Sequence, residues 1–330
     1  MILKVLQRPQ AAIYKMKAIV IRHFGSKEVL EPAEMPDPEP DEDELLVRIH
    51  AIGINPFDWK VRKGLVRRVL PKKLPIILGQ DFSGEVISVG SQVGDYEIGD
   101  RVFGTVNALK GEGSYAELIA APAKNVATLP ANMSFEEAAA LPTAGLAALQ
   151  ALRDKGNIRN GMDVLINGAA GGVGHYAIQI AKFFGAYVTA VCGPENLDFA
   201  TDLCADEALD YTKVDYTKLK SRYDIIFDVI GNRNFRESVP VLQPKGVFIT
   251  TKPTFRNYLQ MLLTRFTGKK SRNLLMDINE DDLWELKKMA EAEQIRSHVG
   301  GLFPFEQAGE AQALSESAHL RGKIVLQVLS

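Results

Sequence analysis

A chain of 330 residues, 46% hydrophobic and 24% charged, with a net charge of −2, has the make-up of a soluble globular protein too long for one ordinary core, so two domains are expected. Near-neutral charge gives no reason to expect nucleic acid or a membrane surface as the main partner. Two cysteines, Cys192 and Cys204, exclude a disulfide framework beyond one bond and a Cys-rich zinc site, and they fit a reducing compartment such as the cytoplasm.

The first 17 residues carry Lys4, Arg8, Lys15 and Lys17 and no acid. They lack a secretory pattern and read as an extra strand or a frayed end, with an organelle-targeting segment as the alternative. Lys17 to His23 reads as a strand. Glu31 to Glu44 is acidic and proline-rich and reads as a solvated connection. Leu45 to Ile54 alternates and then runs apolar, as a half-buried strand does. The polar cluster Asn55-Pro56-Phe57-Asp58-Trp59-Lys60 follows, then basic residues up to Lys73. Asp58 after Pro56 suits a side-chain turn. Pro75 to Val93 and Gly99 to Gly104 are strand-rich and punctuated by glycine, so the N-terminal third reads as a β-rich domain.

Near Leu129-Pro130 the character changes. Ser134 with Glu137 three residues on is a capping sequence, and alanine-rich helices run to about Asp154. No apolar run approaches the roughly 18 residues that a membrane span needs.

Asp163 to Cys192 then reads strand, glycine turn, helix, strand, a βαβ unit of about 30 residues. The turn Gly168-Ala169-Ala170-Gly171-Gly172-Val173-Gly174 is a dinucleotide fingerprint with Ala169 at the first glycine place. Gly171 would let the backbone approach a pyrophosphate, and Gly174 would let helix and strand pack closely. Ala170, Gly171, Gly172 and Val173 are therefore candidate cofactor contacts. Tyr223 to Ile230 and Gly246 to Thr251 are further strands at α/β spacing, which predicts a doubly wound parallel sheet covered on both faces. Ile230, at the end of its strand, joins the candidate contacts.

Pro253 to Met276 places Phe255, Tyr258, Leu259, Leu262, Leu263 and Phe266 at helical spacing among basic residues. A helix over the substrate cleft or on a partner subunit, an ordinary core helix and a basic membrane-surface helix all fit this pattern. From Ser297 the chain returns to strand-like segments with no helix, ending in Gly322-Lys323-Ile324-Val325, and is expected to rejoin the β-rich domain.

Three motifs make a family resemblance specific: Asn55-Pro56-Phe57-Asp58, Leu78 to Val86 (LGQDFSGEV), and Ala139 to Gly145 (AALPTAG) leading to the glycine turn. Together they resemble the medium-chain dehydrogenase/reductases in their zinc-independent quinone oxidoreductase branch, nearest to the chloroplast-envelope homologue type. The resemblance implies a GroES-like domain over residues 1–128 and 297–330 and a Rossmann domain over 129–296. It implies NADPH-dependent reduction of enones or quinones by a homodimer joined at the edge of the nucleotide-domain sheet. A quinone reductase proper and a non-enzymatic nucleotide-binding sensor or scaffold stay as alternatives.

Where zinc-using relatives carry Gly-His-Glu this chain has Gly79-Gln80-Asp81, and its first domain has no cysteine. No metal is expected. Asp81 reads as a buried support. Cys192 stands where NAD enzymes place an acid for the ribose hydroxyls, so NADPH is favoured over NADH. Gly193, Asn196 and Tyr211 are candidate contacts there, although Glu195 replaces a residue often basic in relatives. By family position Thr143 should lie beside the nicotinamide or its phosphates, and Lys60 should face the nicotinamide as the hydrogen-bond donor to a developing oxyanion. A plain surface lysine is the competing reading of Lys60. Asn55 is a candidate pocket residue, and Lys323 is either a cleft residue or a solvated lysine before a strand. Cys204 lies where relatives end a helix with glycine, which predicts a costly positive φ.

Overall fold

The computed structural model describes residues 15–69, 74–107, 113–220, 222–252, 254–317 and 320–329. The expectation for the chain start before Lys15, and Lys72 and Lys73 of the basic segment, lie outside these residues.

The first part of the chain forms β1 (Lys15–Ile21), β2 (Leu30–Pro36), β3 (Glu44–Ile54), helix α1 (Pro56–Arg62), β4 (Ile76–Ile77), β5 (Asp81–Val89), β6 (Arg101–Thr105), β7 (Leu118–Pro122) and β8 (Val126–Thr128). Glu31 to Pro36 was expected as loop. It is most of β2, which pairs antiparallel with β1 from Lys15↔Pro36 to Ile21↔Leu30. Among the described residues only β1 pairs with it, so at this sheet edge Pro32 and Pro36 and the acids Glu31 and Glu34 are tolerated. The expected polar cluster after β3 is a helix: Asp58 Oδ2 accepts the Asn55 N–H at 2.9 Å and caps α1.

Next come α2 (Phe135–Ala139), α3 (Pro142–Gln150), β9 (Asp163–Asn167), α4 (Gly174–Phe183), β10 (Tyr187–Cys192), α5 (Leu197–Asp202), β11 (Glu207–Asp210), β12 (Tyr223–Asp228), α6 (Phe235–Ser238), β13 (Leu242–Thr250), α7 (Phe255–Leu263), β14 (Lys270–Asn273) and α8 (Glu280–Glu291). Six parallel strands run in the order β11-β10-β9-β12-β13-β14. Alternate residues face opposite layers. Val164, Ile166, Ile225 and Phe227 pack with α3, α4 and α8, while Leu165, Ile226 and Phe248 pack with Phe235 and Val241 on the other face. Burial on both faces explains why these strands are continuous apolar runs.

The chain closes with β15 (Val299–Pro304), α9 (Ala308–Ser317) and β16 (Lys323–Gln327). The helix α9 departs from the expected helix-free tail. It connects β15 to the parallel strand β16, and such a crossover needs a connection longer than a hairpin. β16 then pairs antiparallel with β3, from Ile324↔Ile54 to Gln327↔Ala51. The two parts of the molecule meet where Ala51, Ala139, Ala140 and Val325 bury each other. There a Cβ on Gly53 would come within 2.1 Å of the Ala139 carbonyl oxygen, so only glycine lets β3 approach α2. Among the described residues no helix is long and apolar enough to cross a membrane.

Candidate active site

Residues far apart in sequence converge where β3, β5, β6, α3 and β16 meet. Asp81 is fully buried at the start of β5. Its Oδ1 accepts the Thr143 N–H at 3.1 Å and the Thr143 hydroxyl. The Thr105 hydroxyl lies 3.2 Å from that of Thr143. Asp81 Oδ2 accepts from Asn55 Nδ2 at 2.9 Å and faces the Lys323 ammonium at 3.4 Å. Lys323 also donates to Asn55 Oδ1 at 2.6 Å and to the Ile54 carbonyl at 3.0 Å. All three ammonium donors thus have partners, which is what permits a lysine here at 3% exposure. Burial pushes its pKa down, and the Asp81 carboxylate opposes this. Asn55, Thr143 and Lys323 therefore belong to one polar joint between the two parts of the molecule. The Lys323 ammonium points into that joint and not into solvent. Asp81 is its hub.

A second buried carboxylate, Asp58, lies one helical turn beyond Asn55. Asp58 Oδ2 accepts from the Tyr115 hydroxyl at 3.2 Å, and Gln312 Nε2 donates to that hydroxyl at 3.2 Å. Burial is the main cause that raises the Asp58 pKa to about 7.

The glycine turn leaves β9 through Gly168 at φ 87° and enters α4 at Gly174. A Cβ on Gly174 would lie 2.1 Å from the Gly168 carbonyl oxygen, whereas one on Gly171 would meet nothing nearer than 3.6 Å. Gly174 is thus needed for close packing, and Gly171 leaves an open approach to the turn. The N–H groups of Gly172 and Val173 take no backbone acceptor among the described residues. An open turn with free N–H groups at the N-terminus of the 10-residue helix α4 fits a pyrophosphate. The turn is braced from behind. The Gly322 N–H donates to the Ala170 carbonyl at 2.9 Å. His175, fully buried, has Nδ1 3.1 Å from the Gly171 carbonyl, and its Nε2 accepts the His298 N–H at 3.4 Å. Nδ1 therefore carries the proton, and burial holds the imidazole neutral with a pKa of about 3.

At the far end of β10, Cys192 is buried, and burial with the acids Glu195 and Asp210 pushes its thiol up to about 11. It remains a neutral thiol with no acceptor charge for ribose hydroxyls. The Tyr211 N–H donates to the Cys192 carbonyl at 3.1 Å, and the Tyr211 ring is exposed. Gly193 and Asn196 lie in the same loop. Sequence reasoning missed Arg321 here. From the returning tail its Nε donates to Asn196 Oδ1 at 2.7 Å, and Nη2 donates to the Glu195 carbonyl. A cation thus stands beside Glu195, which alone would repel a 2′-phosphate. The one available sign was its place next to Gly322-Lys323.

On the other side of the turn, Asp228 at the end of β12 accepts from Asn167 Nδ2 at 2.8 Å and from the Gly231 and Arg233 N–H groups at 3.0 and 3.1 Å. These bonds shape the loop that carries Ile230, which is exposed and touches the space a Gly168 Cβ would occupy. Lys60, on the solvent-exposed side of α1, stands outside the buried joint. Desolvation lowers its pKa, and the Lys252 ammonium beyond β13 adds to this. The Lys60 ammonium lies 5.4 Å from the centre of the Trp59 ring.

A parallel nucleotide sheet with an open glycine turn, joined at its C-terminal edge to a β-rich domain that takes back the chain's tail, defines a medium-chain dehydrogenase/reductase. Residues 41–131 match the alcohol dehydrogenase GroES-like domain and residues 203–326 the zinc-binding dehydrogenase domain. The chain is 34% identical over 324 residues to the chloroplast envelope quinone oxidoreductase homolog of Arabidopsis thaliana, covering 94% of this chain and 98% of that one. It is 34% identical over 331 residues to the NADPH-dependent alkenal/one oxidoreductase of the same plant, covering 94% and 79%. The quinone oxidoreductase structure from Coxiella burnetii superposes with a TM-score of 0.89 at 34% identity, covering 96% of this chain and all of that one. The chain belongs to the quinone oxidoreductase branch of the medium-chain dehydrogenase/reductases. Among the described residues no group of three or more His, Cys, Asp or Glu side chains could hold a metal ion.

Proposed function

We propose that this chain is a zinc-independent reductase that uses NADPH to reduce α,β-unsaturated carbonyls or quinones. Its relatives carry the names quinone oxidoreductase and NADPH-dependent alkenal/one oxidoreductase. The observation that carries the reading is Asp81. It stands at the family's metal-ligand motif, yet both its oxygens are committed to Thr143, Asn55 and Lys323. A site without a Lewis acid suits substrates already activated by conjugation.

Bound at the turn, NADPH would supply a hydride to the conjugated carbon. The backbone of Ala170, Gly171, Gly172 and Val173 would hold the pyrophosphate. Gly193, Asn196, Tyr211 and Arg321 would hold the 2′-phosphate, with neutral Cys192 offering no repulsion. Ile230 and Thr143 would border the nicotinamide. Lys60 donates a hydrogen bond to the carbonyl oxygen as charge builds there. Asn55 and Lys323 act at one remove, by fixing the joint that sets the cleft. The supporting domain division is 1–128 with 297–330, and 129–296. Homodimerisation and a cytoplasmic location complete the proposal and rest on the family resemblance and cysteine usage.

The test follows the absorbance of reduced nicotinamide in chelator-treated protein, with NADPH and NADH each offered a medium-chain enone or a benzoquinone. Turnover with NADPH that the chelator leaves unchanged is expected, and Lys60→Met should lower kcat for the enone about 10²-fold or more. Cofactor binding without turnover of either acceptor would end the enzyme reading. Turnover that needs added zinc would end the metal-free one.

A further inference from the structure

The helix α1 is fastened from behind by α9. Asp58 and Arg62 stand one turn apart on α1, each 1% exposed. Gln312 and Glu316 stand one turn apart on α9 and meet them in two rungs. In the first, Gln312 Nε2 donates to the Tyr115 hydroxyl, which donates to Asp58 Oδ2, both at 3.2 Å. In the second, Arg62 Nη2 donates to Glu316 Oε2 at 2.9 Å. The other Glu316 oxygen accepts from the Lys63 ammonium. Helix side chains four positions apart share a face. Lys60, midway between Asp58 and Arg62, is therefore on the opposite face, where it is exposed.

The second rung carries the charge. Among the described residues Glu316 is the one carboxylate paired with the buried Arg62 guanidinium, whose Nε and Nη1 have no acceptor there. Neutralising Glu316 would leave that cation buried and unpaired, the costly way to break a buried pair. The same carboxylate also bears on Lys60 from the other side. The Lys60 and Lys63 ammoniums lie 5.4 and 5.7 Å from the centre of one ring, that of Trp59. Two cations drawn to one ring repel each other, and Glu316 offsets the charge of Lys63.

We propose that Glu316 is a positioning residue for the reduction. Through Arg62 it fixes the end of α1, and through Lys63 it leaves the Trp59 ring to Lys60, so that the Lys60 ammonium is held in one place. This role rests on that of Lys60 as donor to the substrate oxygen. A donor displaced by about 1 Å can cost two orders of magnitude in rate, so a carboxylate away from the chemistry can set kcat.

Full-length Glu316→Gln, Lys60→Met and the double variant are compared with wild type in NADPH-dependent turnover of a medium-chain enone, with NADPH binding as the check on folding. Glu316→Gln should lower kcat about tenfold and leave the KM for NADPH within about twofold. Beside Lys60→Met the same substitution should cost less than about twofold, because the group it positions is gone. A full tenfold loss that persists beside Lys60→Met overturns the proposal, as does loss of NADPH binding in Glu316→Gln, which assigns Glu316 to support of the fold. Lys60→Met that lowers kcat while Glu316→Gln does not overturns this role alone. Lys60→Met without effect overturns the role of Lys60 and this one with it.

Discussion

Cys204 has φ 67° at the end of α5, with its N–H bonded to the Thr201 carbonyl at 2.8 Å. This is a helix-ending left-handed position, where a side chain clashes with the following carbonyl by about 1–2 kcal/mol and glycine does not. The side chain is exposed, so little packing offsets that cost. Cys204→Gly should raise stability by about 1 kcal/mol in urea unfolding. An unchanged or lower midpoint would mean that the thiol makes a compensating contact. Arg321 gives a second test at this scale. It lies beside Glu195 and Asn196, where a 2′-phosphate would sit and where the ribose hydroxyls of NADH bring no charge. Arg321→Ala should raise the KM for NADPH about tenfold and leave that for NADH nearly unchanged. Equal effects on both cofactors would place Arg321 in loop support instead of phosphate recognition.

Elements read from local period were legible in the sequence. The strand at Val164, the turn and α4 each announce themselves within a few residues, and the capping pair Ser134 and Glu137 is in place, with the Glu137 N–H bonded to the Ser134 hydroxyl at 3.2 Å. β2 was not legible, because its partner β1 and not its own pattern makes it a strand. α9 is small and polar along much of its length, with Ala308, Ala311 and Gln312 buried, and its weak period hid it. The joint of Asn55, Asp81, Thr143 and Lys323 was not legible as a unit, since up to 268 positions separate bonded partners. The residue types were visible, but no spacing rule says that their elements meet. The joint is also where element packing can be tested. Lys323→Met leaves the Asp81 carboxylate buried without its cation and should cost about 3–5 kcal/mol. Adding Asp81→Asn to that variant removes the orphaned charge and should recover part of the loss. A double variant no more stable than Lys323→Met would show that packing, and not charge, sets the value of the pair.

At the scale of the whole molecule, two buried groups bias stability with pH in opposite directions. His175 braces the glycine turn as a neutral imidazole with its pKa lowered from 6.5 to about 3 by burial. The unfolded chain binds this proton below pH 6.5 and the folded chain does not. The stability tied to His175 is therefore whole above pH 6.5 and lost as pH falls toward 3, by at most about 1.4 kcal/mol per unit. Asp58 caps α1 with its pKa raised from 3.8 to about 7, again by burial first. Here the folded chain holds a proton that the unfolded chain has released. Its contribution is whole below 3.8 and lost as pH rises through 7. Between about pH 4 and 6.5 the two slopes oppose, so wild-type stability hides both. Single variants should reveal them. Relative to wild type, Asp58→Asn should gain stability as pH rises across that window, and His175→Gln should lose it. Urea unfolding at about pH 4.5 and 6.5 reads the tilt directly. If both variants tilt the same way, the two groups are not titrating independently, and the α1 cap and the turn brace are linked through Lys323, which lies in the electrostatic field of each.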